Sequence, residues 1–179
     1  MTNLYQFSMV LSNINEATVN LEDSLFEAGC DDALISYKNS VVYLDFDREG
    51  DDFEKAIISA IKNVESASVN ATVKSISPAY LVTLSDIAER VAMTRQAISL
   101  LMQGKRGFGS FPAPLLNIKN KSALWRWSDI AIWFYEQGKI KDHSIIDFAI
   151  IVEDINSALE LRDKDTYIHR EQILKQLNA

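Results

Sequence analysis

The spacing of apolar residues at the start of the chain predicts a strand followed by a helix. Every second residue from Tyr5 to Leu11 is apolar, and this period of two is typical of a half-buried strand. From Ala17 to Ala28, apolar residues recur every three or four positions. That spacing predicts an amphipathic helix, which Gly29 would end.

The pattern then returns to strands. Ala33–Tyr37 and Val41–Phe46 are predicted strands around a short turn, Phe53–Val64 has helical spacing, and Ala71–Ile76 is a predicted fourth strand. The order strand, helix, strand, strand, helix, strand is the split βαβ, or ferredoxin-like, arrangement. We therefore predict an α+β domain of this type over residues 1–77, with one open sheet face.

Ser77-Pro78 is a predicted boundary, because proline disfavours helix at the residue before it. A second domain is predicted over residues 78–140. Its first helix begins with Thr83–Asp86, which fits a capping box. After a break, Thr94 is suited to cap a second helix that extends to about Gln103. Two short helices joined in this way predict a helix-turn-helix.

A loop and a hairpin follow the second helix. The predicted strands of the hairpin are Leu115–Lys121 and Leu124–Trp127, with Lys119-Asn120-Lys121 at the tip. A basic tip beside a helix-turn-helix forms a wing that can contact DNA backbone. Ser128 then begins a third helix of the winged helix-turn-helix domain.

Residues 141–179 are predicted to form a helical tail. Apolar residues recur at helical spacing over Ile145–Leu159, and a shorter helix is predicted over Asp165–Leu177. The first of these apolar surfaces is too wide for a lone exposed helix, so it should pack on the body or on a second copy. We expect a homodimer, because two-fold symmetry lets two weak half-site contacts combine.

Charge is distributed unevenly along the chain. The net charge is -7, which by itself argues against binding nucleic acid. Residues 84–127, however, carry seven Lys and Arg against two Asp and Glu, and Thr94–Trp127 contains six basic residues and no acidic one. Local fields of this kind matter more for partner choice than the overall charge.

The outer face of the second helix is polar and has no carboxylate. Arg can bind guanine or phosphate, Gln can pair with adenine, and Ser can serve either. A plain solvated helix face is the alternative. Arg126, between two tryptophans, is expected either to contact phosphate or to pair with an acid. The candidate DNA-binding residues are Thr94, Arg95, Gln96, Ser99, Gln103, Lys105, Arg106, Lys119, Lys121 and Arg126.

Other chemistry is not expected. An acylphosphatase-like activity needs an arginine in the loop after the first strand, and Ser12–Asn15 has none. Cys30 stands alone, so neither a disulfide within the chain nor a thiolate zinc site is expected. The acidic group around Asp45–Asp52 lacks the spacing of a calcium loop and reads better as a solvated turn that caps the next helix. We predict a non-enzyme without metal or cofactor.

The chain shows neither a secretion signal nor a long apolar run, so we expect a cytoplasmic protein that does not associate with membranes.

Three short sequences carry a resemblance: "SDIAERVAMTRQAI" at the turn, "FPAP" in the loop and "LWRWSDIAIWF" at the return to the last helix. They resemble the excisionase-like and MerR-type winged helix group of phage and bacterial regulators. The resemblance implies that Arg95–Gln103 reads the major groove while the wing contacts the backbone. Met93 departs from the common pattern, in which glycine occupies the turn. The N-terminal segment is similar to that of uncharacterised bacterial regulators with the same helix-turn-helix.

Two alternatives stay open. An antitoxin-like or adaptor protein would use its winged helix to dock a protein partner, and a recombination directionality factor would bend DNA and recruit an integrase. The N-terminal domain can take a protein partner or a small ligand, which the sequence does not specify.

Overall fold

The computed structural model describes residues 2–107, 109–116, 123–162 and 164–178. Over these residues the protein is a mixed α+β structure with seven helices and a four-stranded antiparallel sheet. The strands are β1 (Asn3–Ser12), β2 (Ala33–Lys38), β3 (Val41–Gly50), β4 (Thr72–Ser77), β5 (Leu81–Val82) and β6 (Trp125–Arg126). The helices are α1 (Leu21–Glu27), α2 (Phe53–Ser66), α3 (Leu84–Arg90), α4 (Arg95–Met102), α5 (Trp127–Glu136), α6 (Ser144–Glu160) and α7 (Lys164–Leu177).

The strands of the main sheet are arranged in the order β2-β3-β1-β4, so β2 and β4 are its edges. All three neighbouring pairs are antiparallel. Alternation along the strands divides the two faces. Phe7, Met9 and Leu44 are buried, whereas Gln6 and Asp45 are exposed. The period of two in the sequence therefore gives this sheet one buried face and one open face.

The two helices that follow β1 and β3 each have a buried apolar side, which in α1 consists of Leu21 and Leu25. In α2 the buried residues include Phe53, Ile57 and Val64, and the ring of Phe53 lies 6.2 Å from that of Phe7 in β1. Asp52 caps this helix by accepting a hydrogen bond from the Lys55 backbone N–H. The acidic turn thus contains a helix cap, as the sequence predicted.

The start of α1 differs from the expectation. Helical spacing suggested a start at Ala17, but the helix begins at Leu21 and Ala17 is exposed. Asn15 explains the difference, because its side chain accepts a hydrogen bond from the Ala17 backbone N–H at 2.8 Å. Asn side chains compete for backbone groups in this way and favour turns over helix. Asn20, in the left-handed conformation, then precedes the first helical residue.

Strand β3 extends four residues beyond the predicted end at Phe46. The buried residue in this extension is Arg48, whose guanidinium binds both carboxylate oxygens of Asp32 at 2.7 Å. A third bond, at 2.8 Å, goes to the carbonyl oxygen of Gly29. A bidentate ion pair with an additional acceptor compensates the cost of burying the charge. This pairing of distant residues was not readable from the local pattern.

The chain divides into two compact units, Met1–Pro78 with Asp154–Ala179, and Ala79–Glu153. The second unit contains the short β5–β6 pair, helices α3 to α5 and the first part of α6. Its core includes Ile98 from α4, Trp125 from β6 and Phe134 from α5, together with Ile146 and Ala149 from α6. The predicted tail therefore contributes apolar side chains to the core of this unit. In the first unit, the buried Asn156 of α6 bonds to the backbone of β4.

Candidate nucleic-acid interface

Helices α3 and α4 are positioned by caps that the sequence predicted. The Thr83 hydroxyl accepts from the Asp86 backbone N–H at 3.3 Å, and the Asp86 carboxylate accepts from the Thr83 backbone N–H at 2.7 Å. This reciprocal pair is a capping box. At the start of α4, the Thr94 hydroxyl accepts from the Ala97 backbone N–H at 3.2 Å. Both helix starts are thus fixed by side chains within three residues.

The connection between the two helices is a tight turn. The Met93 backbone N–H donates to the Ala88 carbonyl oxygen at 2.8 Å. Ala92, the residue before, has a φ of 50°, in the left-handed region that favours glycine. The resemblance to winged helix regulators pointed to Met93 as the departure from a glycine. In the structure, the position with the glycine-like conformation is Ala92.

Helix α4 has one buried and one exposed face. Ala97, Ile98 and Leu101 are buried in the core of the second unit. Thr94, Arg95, Gln96 and Gln103 are exposed, and Ser99 is half-buried. The Gln103 amide donates to the Ser99 hydroxyl at 3.1 Å. The predicted polar residues therefore share the outer surface of this helix.

The end of α4 carries two more of the candidate residues. Gly104 has a φ of 67°, and the backbone N–H groups of Gly104 and Lys105 bond to carbonyl oxygens in the last turn of the helix. This left-handed end is a common way to terminate a helix. It places the exposed Lys105 and Arg106 directly after α4. The residues predicted around α4, from Thr94 to Arg106, consequently form one exposed group.

The predicted wing is described only at its base. Leu116 and Leu124 form an antiparallel bridge with two backbone hydrogen bonds, of 3.2 and 2.8 Å. The predicted tip, with Lys119 and Lys121, lies outside the described residues. Trp125 and Arg126 pair instead with Leu81 and Val82, which form a strand that sequence reasoning missed. A two-residue strand is too short to give a periodic pattern, although the apolar run Tyr80–Val82 was a local signal.

The tryptophans near the predicted wing fill the core of the second unit. Trp125 is 1% exposed and Trp127 is 8% exposed. The indole N–H of Trp125 donates to the Pro112 carbonyl oxygen at 3.0 Å, which holds the proline-containing loop against the core. The ring of Phe111 also contacts Trp133 of α5, with 5.1 Å between ring centroids. The indole rings of Trp125 and Trp127 are therefore not available for stacking on bases.

Arg126 pairs with an acid. Its Nε lies 3.2 Å from Oε1 of Glu153, and the other carboxylate oxygen accepts from the Ser128 hydroxyl at 2.6 Å. The Arg126 side chain is nevertheless 46% exposed. The sequence left two alternatives open for Arg126, contact with phosphate or pairing with an acid. Glu153 was not foreseen, because it lies 27 positions further along the chain, among the apolar residues of α6.

Arg90 is a further residue that sequence reasoning missed. Its guanidinium lies 4.8 Å from the centre of the Trp127 ring and donates to the Ala79 carbonyl oxygen at 2.8 Å. Burial lowers the pKa of Arg90, against the opposing effect of Asp86 and Glu89. Arg90 therefore belongs to the packing of the second unit. Around α4, the exposed basic residues are Arg95, Lys105 and Arg106, and the sequence from Thr94 to Trp127 has no acid.

Comparisons with protein-family models, with curated proteins and with solved structures gave no match. Among the described residues, no group of three or more His, Cys, Asp and Glu is arranged to hold a metal ion. Within the same residues, every helix is too short or too polar to cross a membrane.

Proposed function

We propose that the protein binds double-stranded DNA in a sequence-specific manner and acts as a bacterial or phage transcriptional regulator. The observation that carries the proposal is the outer surface of α4. Arg95, Gln96 and Gln103 are exposed there, and no carboxylate interrupts them between Thr94 and Trp127. Arg and Gln are the side chains that form two-bond contacts with guanine and adenine in the major groove.

The order of helices and the position of the basic residues support a winged helix-turn-helix. Two short helices are joined by a tight turn, a third helix packs behind them, and the Leu116–Leu124 bridge forms the base of the proposed wing. In such domains the second helix enters the major groove. In our proposal, α4 reads bases while Lys105 and Arg106, and Lys119 and Lys121 on the wing, bind phosphates.

We further propose that residues 1–77 are a ferredoxin-like domain that regulates the DNA-binding unit. The strand order β2-β3-β1-β4 with antiparallel neighbours supports this assignment, because it is the order of a split βαβ repeat. The proposal includes a homodimer, whose two α4 helices would contact two half-sites. It also includes a cytoplasmic location, where bacterial and phage genomes are read.

The first test is fluorescence anisotropy on a duplex from the region upstream of the gene and on a scrambled duplex, over a series of salt concentrations. We expect the upstream duplex to bind more tightly and both affinities to fall as salt rises. Arg95→Ala should reduce the binding free energy for the specific duplex by about 1–3 kcal/mol. Lys121→Ala should lower the affinity for both duplexes about equally and make binding less dependent on salt.

Lys62→Ala is the matched control, because it removes an exposed positive charge from α2, in the other unit. It should leave both affinities unchanged. If Arg95→Ala and Lys62→Ala bind the specific duplex equally, the assignment of α4 as the recognition helix is wrong. Absence of binding to either duplex at low salt would favour the adaptor alternative, in which the second unit docks a protein.

A further inference from the structure

The outer edge of β2 presents unpaired backbone groups. β2 is an edge strand and pairs only with β3, from Ala33 opposite Phe46 to Lys38 opposite Val41. The Asp47 backbone N–H donates to the Asp32 carbonyl oxygen at 3.1 Å. The alternation of an antiparallel ladder then directs the N–H and C=O of Ile35 and Tyr37 away from β3. In the described part of the chain, no hydrogen bond takes up these groups.

A groove lies beside this edge, between β2 and α1. It contains a cavity of about 350 Å³, whose lining residues include Leu25 and Phe26 of α1 and Leu34 and Ile35 of β2. Phe26 and Leu34 are 67% and 70% exposed. Two large apolar side chains so exposed beside a free strand edge are unusual, because native proteins generally cover or charge such edges. The edge and the groove together suit an extended chain with apolar side chains.

The surroundings of the groove are acidic. Glu22 and Asp23 line this cavity and also a second one of about 290 Å³, which Glu16 and Tyr37 line as well. Among the described residues that line the two cavities, none is Lys or Arg. Burial, together with the negative charges of Glu22 and Glu16, raises the pKa of the nearby Tyr37. A segment bound here therefore meets negative charge on the α1 side of the edge.

We propose that the β2 edge and the groove beside α1 bind an extended, basic segment of a partner protein by strand addition. The partner chain pairs with the backbone of Ile35 and Tyr37. Its side chains on the α1 side of the sheet contact Phe26, and the alternate side chains, on the other side, contact Leu34. Its Lys or Arg residues face Glu22 and Asp23. A second copy of this chain fits less well, because two-fold pairing of β2 strands would set one acidic groove against the other. The proposal does not depend on DNA binding.

A labelled decapeptide of alternating Lys and Val is a suitable probe, measured by fluorescence anisotropy on the full chain. Its control is the same peptide N-methylated at every residue, which keeps the charge but leaves no backbone N–H on either edge to extend the ladder. We expect the unmethylated peptide to bind and the methylated one to lose binding. The amides of Ile35 and Tyr37 should gain protection from hydrogen exchange when the unmethylated peptide is bound.

Charge reversal tests the acidic field. The double variant Glu22→Lys with Asp23→Lys should lower the affinity for the peptide by about tenfold or more, since two attractive contacts become repulsive. Asp51→Lys with Glu54→Lys makes the same charge change at exposed positions near the start of α2 and should alter affinity less than about twofold. Equal effects of the two double variants would overturn the proposal, and so would equal binding of the methylated peptide. Protection of Ile35 and Tyr37 that rises with protein concentration, without peptide, would assign the edge to a second copy instead.

Discussion

Asn156 makes two hydrogen bonds that cover the outer edge of β4. Its amide nitrogen donates to the Ile76 carbonyl oxygen at 3.0 Å, and its amide oxygen accepts from the Ile76 backbone N–H at 2.8 Å. The side chain thereby imitates a neighbouring strand. It is 4% exposed, so solvent cannot readily replace it. The two edges of the sheet consequently differ: β4 is covered at this residue, whereas β2 presents free groups.

Loss of this amide should destabilise the protein. Asn156→Ala leaves a buried donor and a buried acceptor without their partner, and we expect the free energy of unfolding to fall by about 2 kcal/mol or more. Urea denaturation followed by circular dichroism measures the change. Asp154→Ala, at an exposed position of the same helix, is the control and should change stability by less than about 0.5 kcal/mol. An equally small change for Asn156→Ala would mean that water replaces the amide.

Among the helices and strands, features were predicted correctly where the residues that interact are close in sequence. The capping box at Thr83 and Asp86 and the cap at Thr94 each join residues three positions apart. The structure has them as predicted. The predicted start of α1 was wrong, because the hydrogen bond of the Asn15 side chain favours a turn over the helix that the apolar spacing indicated. The pairing of Arg126 with Glu153 and the bonds of Asn156 to Ile76 join distant parts of the chain, so no local pattern could identify them.

The turn between α3 and α4 gives a prediction at this scale. Ala92 has a φ of 50°, a conformation that costs an L-residue roughly 1–2 kcal/mol relative to glycine. Ala92→Gly should relieve this cost. Because glycine also raises the entropy of the unfolded chain, we expect the free energy of unfolding to rise by only about 0.5–1 kcal/mol. Ala158→Gly, at an exposed position of α6, should instead lower the free energy of unfolding by about 1 kcal/mol.

Thermal unfolding of the two variants distinguishes them by sign. A higher midpoint for Ala92→Gly with a lower midpoint for Ala158→Gly would support the strained turn. If both glycine variants are less stable than the parent protein, then Ala92 is not under strain at this turn. The measurement needs no DNA, so its outcome is separate from the proposed function.

For the whole molecule, the sequence predicted the α+β class and most of the helices and strands, but not how the tail is used. The apolar pattern over Ile145–Leu159 was expected to pack on the body or on a second copy. In the structure Ile146 and Ala149 belong to the core of the second unit. Asn156, in the same helix, belongs to the first unit. A pattern of apolar residues reveals that a face is buried, but its partner depends on the folded chain.

The proposed homodimer is therefore better placed on α7 than on α6. Tyr167, Leu174 and Leu177 are 49%, 57% and 76% exposed, and they fall within about 80° of one another around the helix, at 100° per residue. We expect light scattering to give twice the mass of one chain. Leu174→Glu with Leu177→Glu should reduce it to that of one chain, because carboxylates cannot be buried in an apolar contact without a large cost.

Substitution tests the α7 surface more directly than removal of all residues after Gly138. Such a truncation would also remove Ile146 and Ala149 from the core of the second unit. Val19→Glu, at a residue 79% exposed in the loop before α1, adds one carboxylate elsewhere and should leave the mass unchanged. If the parent protein is a dimer that the α7 variant does not dissociate, another surface holds the two copies together. If the parent is a monomer, two half-sites cannot be bound by a preformed pair, and regulation would then depend on dimerisation on DNA.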